Sequence, residues 1–394
     1  MNIKNITCLT AILSLAFTSC VNDDTDFDIP EDISSSIERV SLDYSSLAEN
    51  DIFASEYTDD YVENSEFTRT VYIKFNGNDV DITGETSAIT ADTDGAHVSI
   101  TPSKKKMLFV LQGSTSDGGV KFYGENKFEV MLDGVTINNP TGPAINSQNK
   151  KRMFLVLNDD TDNSLSDGTS YTAYGDEDMK GTIFSEGKIL LSGNGKLSVT
   201  SNCKHSIASD DYVLIRPGVN VSISNNAGSG IKAKDGATIL GGVVNIEVAA
   251  DGAKGISSDS CIVVRGGRTT VITHGNELIE GTDTTSAACI KCDSAYEQDG
   301  GIVRLQSEGC GGKGINAGGD VVISGGSMYA VTFGSKDLSS PKALKTDGCA
   351  KIWAETFLYS KASSACDATQ GIDIISTLAI KQQNKHLLEV TAAQ

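Results

Sequence analysis

The stretch KGISSDSCIVVRGG, residues 254–267, returns in outline as KGINAGGDVVISGG at residues 313–326. Four related segments flank and separate them: KGTIFSEGKILLSGNG from Lys180, KHSIASDDYVLIRPG from Lys204, SGIKAKDGATILGG from Ser229 and ACIKCDSAYEQDGG from Ala288. Aligned on Ile183, Ile207, Ile231, Ile256, Ile290 and Ile315, all six reach a glycine or Pro-Gly turn ten residues later. Degenerate copies begin at Ile145 and Leu344. The successive spacings are 24, 24, 25, 34, 25 and 29 residues. A fixed internal period of this size is the signature of a solenoid, in which each unit buries its apolar face only by stacking on its neighbours.

Each unit holds three short apolar runs: the anchor, a central run such as VLI or IVV, and a third after the glycine turn such as VNVSI. Three strands in about 24 residues predict an all-β, parallel three-sheet β-helix from residue 68 to 394, with roughly twelve to thirteen coils about 4.8 Å apart. Propeller blades need about 40 residues, and antiparallel sandwiches need tight hairpins between neighbours. Period-two alternation turns the anchor inward and, with it, the small residue two places on: Ser185, Ser209, Ala233, Ser258, Cys292, Ala317 or Thr346. The acids at the third place, Glu186, Asp210, Asp259, Asp293 and Asp347, then face out, with Asp235 one place later in its coil.

The net charge of −20 is unevenly spread. Residues 22–66 carry fifteen acids and one base, whereas from residue 67 on there are 30 Lys plus Arg against 37 Asp plus Glu. The sequence therefore reads as a nearly balanced body on an acidic tether, residues 20–67. No basic run exceeds the three residues of Lys104-Lys105-Lys106, which argues against a phosphate-gripping nucleic-acid surface. Ahead of the tether, Lys4 precedes an apolar stretch from Ile6 to Phe17, too short to span a bilayer and suited to a secretory signal over residues 1–19. Phe17-Thr18-Ser19-Cys20 resembles a bacterial lipobox with Phe where Leu is usual, and the acidic run after Cys20 resembles the export signal of Bacteroidetes surface lipoproteins. Lipidation of Cys20 would place a monomeric body on the outer face of the outer membrane. An ordinary signal peptide with an incidental cysteine is the alternative.

The KGI and GG punctuation, together with GGVKFYGENKFEVMLDGVTI, GPAINSQNKKRMFLVL and EDMKGTIFSEGKILLSGNGKLSVTSN, resembles a family of secreted carbohydrate-binding parallel β-helix proteins. Clostridial members of that family bind cellulose and acidic pectin-type sugars, and its fold is similar to calcium-dependent pectate lyases. The resemblance covers about residues 68–380. It implies a right-handed helix, calcium held on the coils, and polysaccharide binding without catalysis. A polysaccharide lyase or hydrolase on the same scaffold, and a structural adhesin or spacer, are the alternatives.

Calcium takes six to eight oxygen ligands, and stacked coils bring equivalent positions within about 5 Å. The candidate ligands are Asp210, Asp211, Asp235, Asp251 and Asp259, with Asn202 and Asn226 in support; a solvated acidic ladder spaced by lysines is the alternative. Extra residues fall at 158–178, 274–288 and about 333–341, always between the third strand of one coil and the next anchor. Loops gathered on one edge of a solenoid often build its binding surface. Candidate sugar contacts are Tyr171 and Tyr174 in the first insertion, and Lys254 and Lys313, each two places before its anchor. With one tryptophan, Trp353, and no aromatic ladder, recognition through polar groups is expected over stacking on flat aromatic strips. The four histidines are scattered, and a single CxxC at Cys289 and Cys292 is a weak zinc signal better read as buried thiols.

Overall fold

The computed structural model describes residues 56–353 and, as strands only, 357–361, 364–368, 372–375, 378–383 and 387–392. The signal segment 1–19, Cys20, the tether as far as residue 55 and the side chain of Trp353 lie outside the described residues. Apart from three short 3-10 turns, every described element is a strand. The strands form three parallel ladders, one strand of each per coil.

The anchor ladder runs through Ala96–Pro102, Gly118–Phe122, Ile145–Ser147, Gly181–Ser185, His205–Ser209, Ile231–Ala233, Lys254–Ser258, Ala288–Cys292, Lys313–Ala317, Lys342–Thr346 and Ser364–Ala368. Register is kept from coil to coil: Ile183 opposes Ile207, Ile207 opposes Ile231, Ile231 opposes Ile256, and so on to Leu344. Every anchor is buried, and so is every small residue two places on. That second column is small for packing, and its hydroxyls also close the corner. Ser209 Oγ accepts the Asp211 N–H at 3.0 Å, Ser258 Oγ accepts Ser260 N–H at 3.0 Å, and Thr346 Oγ1 accepts Gly348 N–H at 3.0 Å. Each is a side-chain turn that redirects the chain toward the next strand.

The other two ladders join into one continuous sheet, because Tyr296–Ser307 and Val321–Thr332 run through the glycine corner without a break. The paired glycines are dictated by that corner. Gly267 has φ +69, and a Cβ there would sit 2.3 Å from the Gly242 carbonyl oxygen of the coil below, so both backbone angle and contact exclude a side chain.

Eleven parallel anchor strands make ten steps, fewer than the twelve to thirteen coils expected. The shortfall is at the ends. Arg69–Asn76 with Asp79–Gly84, and Ile89–Asp94 with Ala96–Pro102, are antiparallel hairpins whose outer arms cover the first coil instead of adding another. Near the other end Phe357–Lys361, Leu378–Gln383 and Leu387–Ala392 also pair antiparallel. Such arms blunt the edge that a parallel stack otherwise leaves open.

Residues 56–67, inside the stretch read as tether, lie against the outer side of the central ladder. Tyr61 is 2% exposed and packs with Phe154, Leu190 and Leu214, an outward column on successive coils, and with Leu240 of the coil after them. The Arg216 guanidinium stands 3.7 Å from the Tyr61 ring centre and donates to Glu63 at 2.7 Å. Asp60 accepts from Arg152 at 2.5 Å and Lys188 at 3.1 Å, and Glu56 pairs with Arg265. The acids of this strap are matched to bases of the coils.

Candidate functional site

Four consecutive anchor strands, Lys254–Ser258 to Lys342–Thr346, place Lys254, Ala288, Lys313 and Lys342 in one register row. Ser257, Lys291, Asn316 and Lys345 form another, one place after the anchors. Insertions 274–288 and 333–341 rise beside these rows and enclose a cleft of about 490 Å³. Its charged lining is Lys254, Lys291, Lys313, Lys342 and Lys345. Its neutral lining is Asn316, the hydroxyls of Thr284, Thr285 and Ser286 from the first loop, and those of Ser339 and Ser340 from the second. Ala288, between Lys254 and Lys313 in its row, adds almost no bulk.

The loops are tied down. Glu277 accepts the N–H of Leu338 at 2.6 Å, the N–H of Ser339 at 2.9 Å and the Ser339 hydroxyl at 2.6 Å. Burial opposes ionisation of this carboxyl, but those donors prevail and hold it below the usual range. Lys313, 4% exposed, donates to the Ser339 hydroxyl at 3.1 Å, to the Ser340 carbonyl at 3.0 Å and to the Gly311 carbonyl. It braces the second loop and contributes its charge from beneath the cleft. Lys254 donates to the Gly252 carbonyl, and Lys291 to Asp293 at 2.5 Å.

The lysines also act on one another. Burial, and then the neighbouring ammonium of Lys291, pull the Lys254 amine down to about 8; burial, and then Lys345, do the same to Lys313. A cleft that crowds ammonium groups and adds hydroxyl and amide groups offers charge-assisted donors to acid groups and further hydrogen bonds to hydroxyls.

Of the expected sugar contacts, the structure brings Lys254 and Lys313 together and leaves the tyrosines elsewhere. Tyr174 is 63% exposed, with the Lys121 ammonium 3.9 Å from its ring centre, and borders a separate cleft of about 340 Å³ that includes Asp92, Asp94 and His97. That cleft is seven coil steps from Lys313 along the anchor ladder, about 34 Å. Tyr171 is a strut: its hydroxyl donates to Asp167 at 2.5 Å, and burial drives its phenol far above the usual range. Lys291, Asn316 and Lys345 were missed by the sequence reading. The repeated IKA, IKC and LKT triplets, in full Ile231-Lys232-Ala233, Ile290-Lys291-Cys292 and Leu344-Lys345-Thr346, carried their signal.

The expected calcium ligands are scattered over several arrangements. Asp210 accepts from Lys180 at 2.8 and 2.6 Å, and Asp259 pairs with Lys232. Asp251 accepts the Asn276 N–H at 2.7 Å, while Asn226 donates to the Asn202 side-chain oxygen at 2.8 Å and Asn202 to Asp167. Asp211 and Asp235 occupy adjacent coils, the Asp235 N–H meeting the Asp211 carbonyl at 2.7 Å. Burial, with the Asp235 charge adding to it, holds the Asp211 carboxyl above its usual range. Among the described residues no three His, Cys, Asp or Glu side chains converge as ligands of one ion. The acids singled out from the sequence thus do not gather three to one point. Cys289 and Cys292 are buried free thiols whose burial pushes each up to about 12, which suits core packing and not zinc.

Residues 94–255 match the family model of carbohydrate-binding domain-containing proteins. A carbohydrate-binding domain-containing protein of Acetivibrio thermocellus is 32% identical over 138 residues, which are 34% of this chain; the chain spans about half of that relative, 48%. A solved structure described as a polysaccharide lyase-like protein from C. thermocellum aligns over 78% of this chain and 97% of its own, with a TM-score of 0.46 and 18% identity, too loose a superposition to carry an argument. Over residues 94–255, ahead of most of the lysine cleft, this β-helix is thus similar to carbohydrate-binding domain-containing proteins.

Proposed function

We propose that the chain binds an anionic polysaccharide, of the uronate or sulfated class, in the lysine cleft and without turning it over. The observation that carries this is the meeting of five lysines with hydroxyl and amide groups in one concavity on the anchor ladder. The similarity of residues 94–255 to carbohydrate-binding proteins supports it. Isothermal titration with an oligouronate and a neutral oligoglucan of equal length tests it: the oligouronate should bind and the neutral chain should not. Equal binding of both, or of neither, overturns it.

We also propose a calcium ion between Asp211 and Asp235 on adjacent coils, where it would offset the charge of one carboxylate on the other; titration in EDTA tests that part separately. A lyase reading is kept alive by Lys254, an amine drawn near 8 beside a cleft suited to uronates, since removal of a proton next to a carboxylate needs such a base. Unsaturated uronate products, absent with Lys254→Ala, would establish it. We further infer a monomeric lipoprotein displayed on the outer membrane through Cys20. Incorporation of labelled fatty acid, lost with Cys20→Ala, tests the anchor.

A further inference from the structure

Five large hydrophobic side chains are exposed among the described residues, and three of them, Ile279 (59%), Phe333 (57%) and Leu338 (51%), belong to the two insertions that wall the lysine cleft. Scattered exposed apolar residues are ordinary; three gathered on the loops of one cationic cleft are not scattered. Ile279 lies in the hairpin Leu278–Glu280 with Asp283–Thr285 and pairs directly with Thr284. Directly paired residues of antiparallel strands project from the same face, and Thr284 lines the cleft. Ile279 is thus an exposed neighbour of the lining residue Thr284 on the hairpin that walls the cleft. Leu338 is fixed as well: its N–H is held by Glu277 at 2.6 Å, and the next residue, Ser339, is a lining residue held by Glu277 and Lys313. The walling loops thus carry exposed apolar side chains over a cationic floor.

We infer that the preferred ligand is an anionic glycan whose sugars also carry small apolar ester substituents, such as O-acetyl groups, with the acid groups directed to the lysines and the substituents to Ile279 and Leu338. This rests on the proposed binding of an anionic glycan and adds the substituent. A lipid surface fits less well. The walls beneath the rim are hydroxyls of serine and threonine, and Lys313 lies 4% exposed below the loops, beyond the reach of a flat headgroup layer but close beneath a chain that enters the cavity.

The test compares an O-acetylated oligouronate with the same oligouronate after mild de-acetylation, by titration calorimetry on the whole protein and on an Ile279→Ser, Leu338→Ser double variant. Burial of one methyl-sized group should tighten binding of the acetylated chain about fourfold in the unmodified protein. The double variant should lose that preference while binding the de-acetylated chain as before; both side chains are exposed, and an unchanged circular dichroism spectrum will verify the fold. Equal affinity for the two chains in the unmodified protein, or a preference that survives in the variant, overturns the inference and leaves the anionic-glycan reading standing. Binding of neither chain removes that reading and the inference with it. Sedimentation with anionic phospholipid vesicles that is abolished in the double variant would assign the rim to a membrane and also overturn the inference.

Discussion

Raising the pH from 7 to 9 should weaken the binding of an anionic glycan without unfolding the protein. Lys254 and Lys313 titrate near 8 because burial and neighbouring ammonium groups disfavour their charged forms. Each amine is then about nine-tenths charged at pH 7 and about one-tenth at pH 9, whereas an ordinary lysine, near 10.4, would keep its charge throughout. The two amines together lose about 1.6 charges, and if a full charge is worth roughly 0.5–1 kcal/mol of attraction to a ligand acid group, affinity falls about 4- to 15-fold. The sign for stability is opposite. A lysine whose folded value is depressed leaves the unfolded chain holding more protons between about 8 and 10.4, so over that window this contribution raises stability with pH. Lost binding is therefore not lost folding. Titration calorimetry in matched ionic strength at pH 7, 8 and 9, with a melting curve at each, provides the assay. Affinity that stays level to pH 9, or a fall that persists in a Lys254→Met, Lys313→Met variant, would refute the reasoning.

Lys313→Met removes the donor to Ser339, Ser340 and Gly311, and should speed amide exchange in residues 335–341 by at least tenfold, equivalent to about 1.4 kcal/mol of lost local protection. Unchanged exchange would show that the loop does not depend on that brace. Tyr61→Ala empties the slot among Phe154, Leu190, Leu214 and Leu240; such truncations in a core cost about 3–5 kcal/mol, enough to free the strap. Proteolysis within residues 56–67 should accelerate while the coils keep their melting temperature, and a strap that stays protected would contradict this. His274 joins Glu247 at 2.7 Å and Glu308 at 2.6 Å, the latter also bonded by Gln306. Burial lowers its pKa, but the two carboxylates more than offset this and hold it raised. Its stabilisation is fully present below about 6.5 and fades as pH rises through the raised value, so the melting advantage over His274→Gln should shrink from about pH 6.5 upward.

The fold was legible because a parallel coil repeats its needs. Ile256 and its equivalents must fill the interior, Ser258 and its equivalents must be small there, and Gly267 must turn where no Cβ fits, so each demand is written several times over. The end coils were misjudged because Asp79–Gly84 and Ile89–Asp94 have strand-like composition, and only pairing direction distinguishes a cap from a coil. The strap left a signal that went unused: the unbroken apolar runs Ile189-Leu190-Leu191 and Val213-Leu214-Ile215 mark strands buried on both faces, so something had to cover Leu190 and Leu214. At the site, Lys254 and Lys313 could be chosen from their position before the anchor. Lys291 and Lys345 could not be separated from solvated lysines until two insertions, 45 or more residues apart in the chain, were seen to wall the same hollow. For the acid columns, one-dimensional alignment stacked Asp210 and Asp259 but could not show Lys180 and Lys232 beside them.

Binding in the lysine cleft stands or falls with titration of an oligouronate into the unmodified protein and into a Lys291→Ala, Lys345→Ala variant. Both lysines line the cleft from the row one place after the anchors, so their loss should leave the core intact. The account predicts binding by the unmodified protein and an affinity about 5- to 30-fold lower in the variant, from two ion pairs of roughly 0.5–1 kcal/mol each. Equal affinity in the two proteins would contradict it.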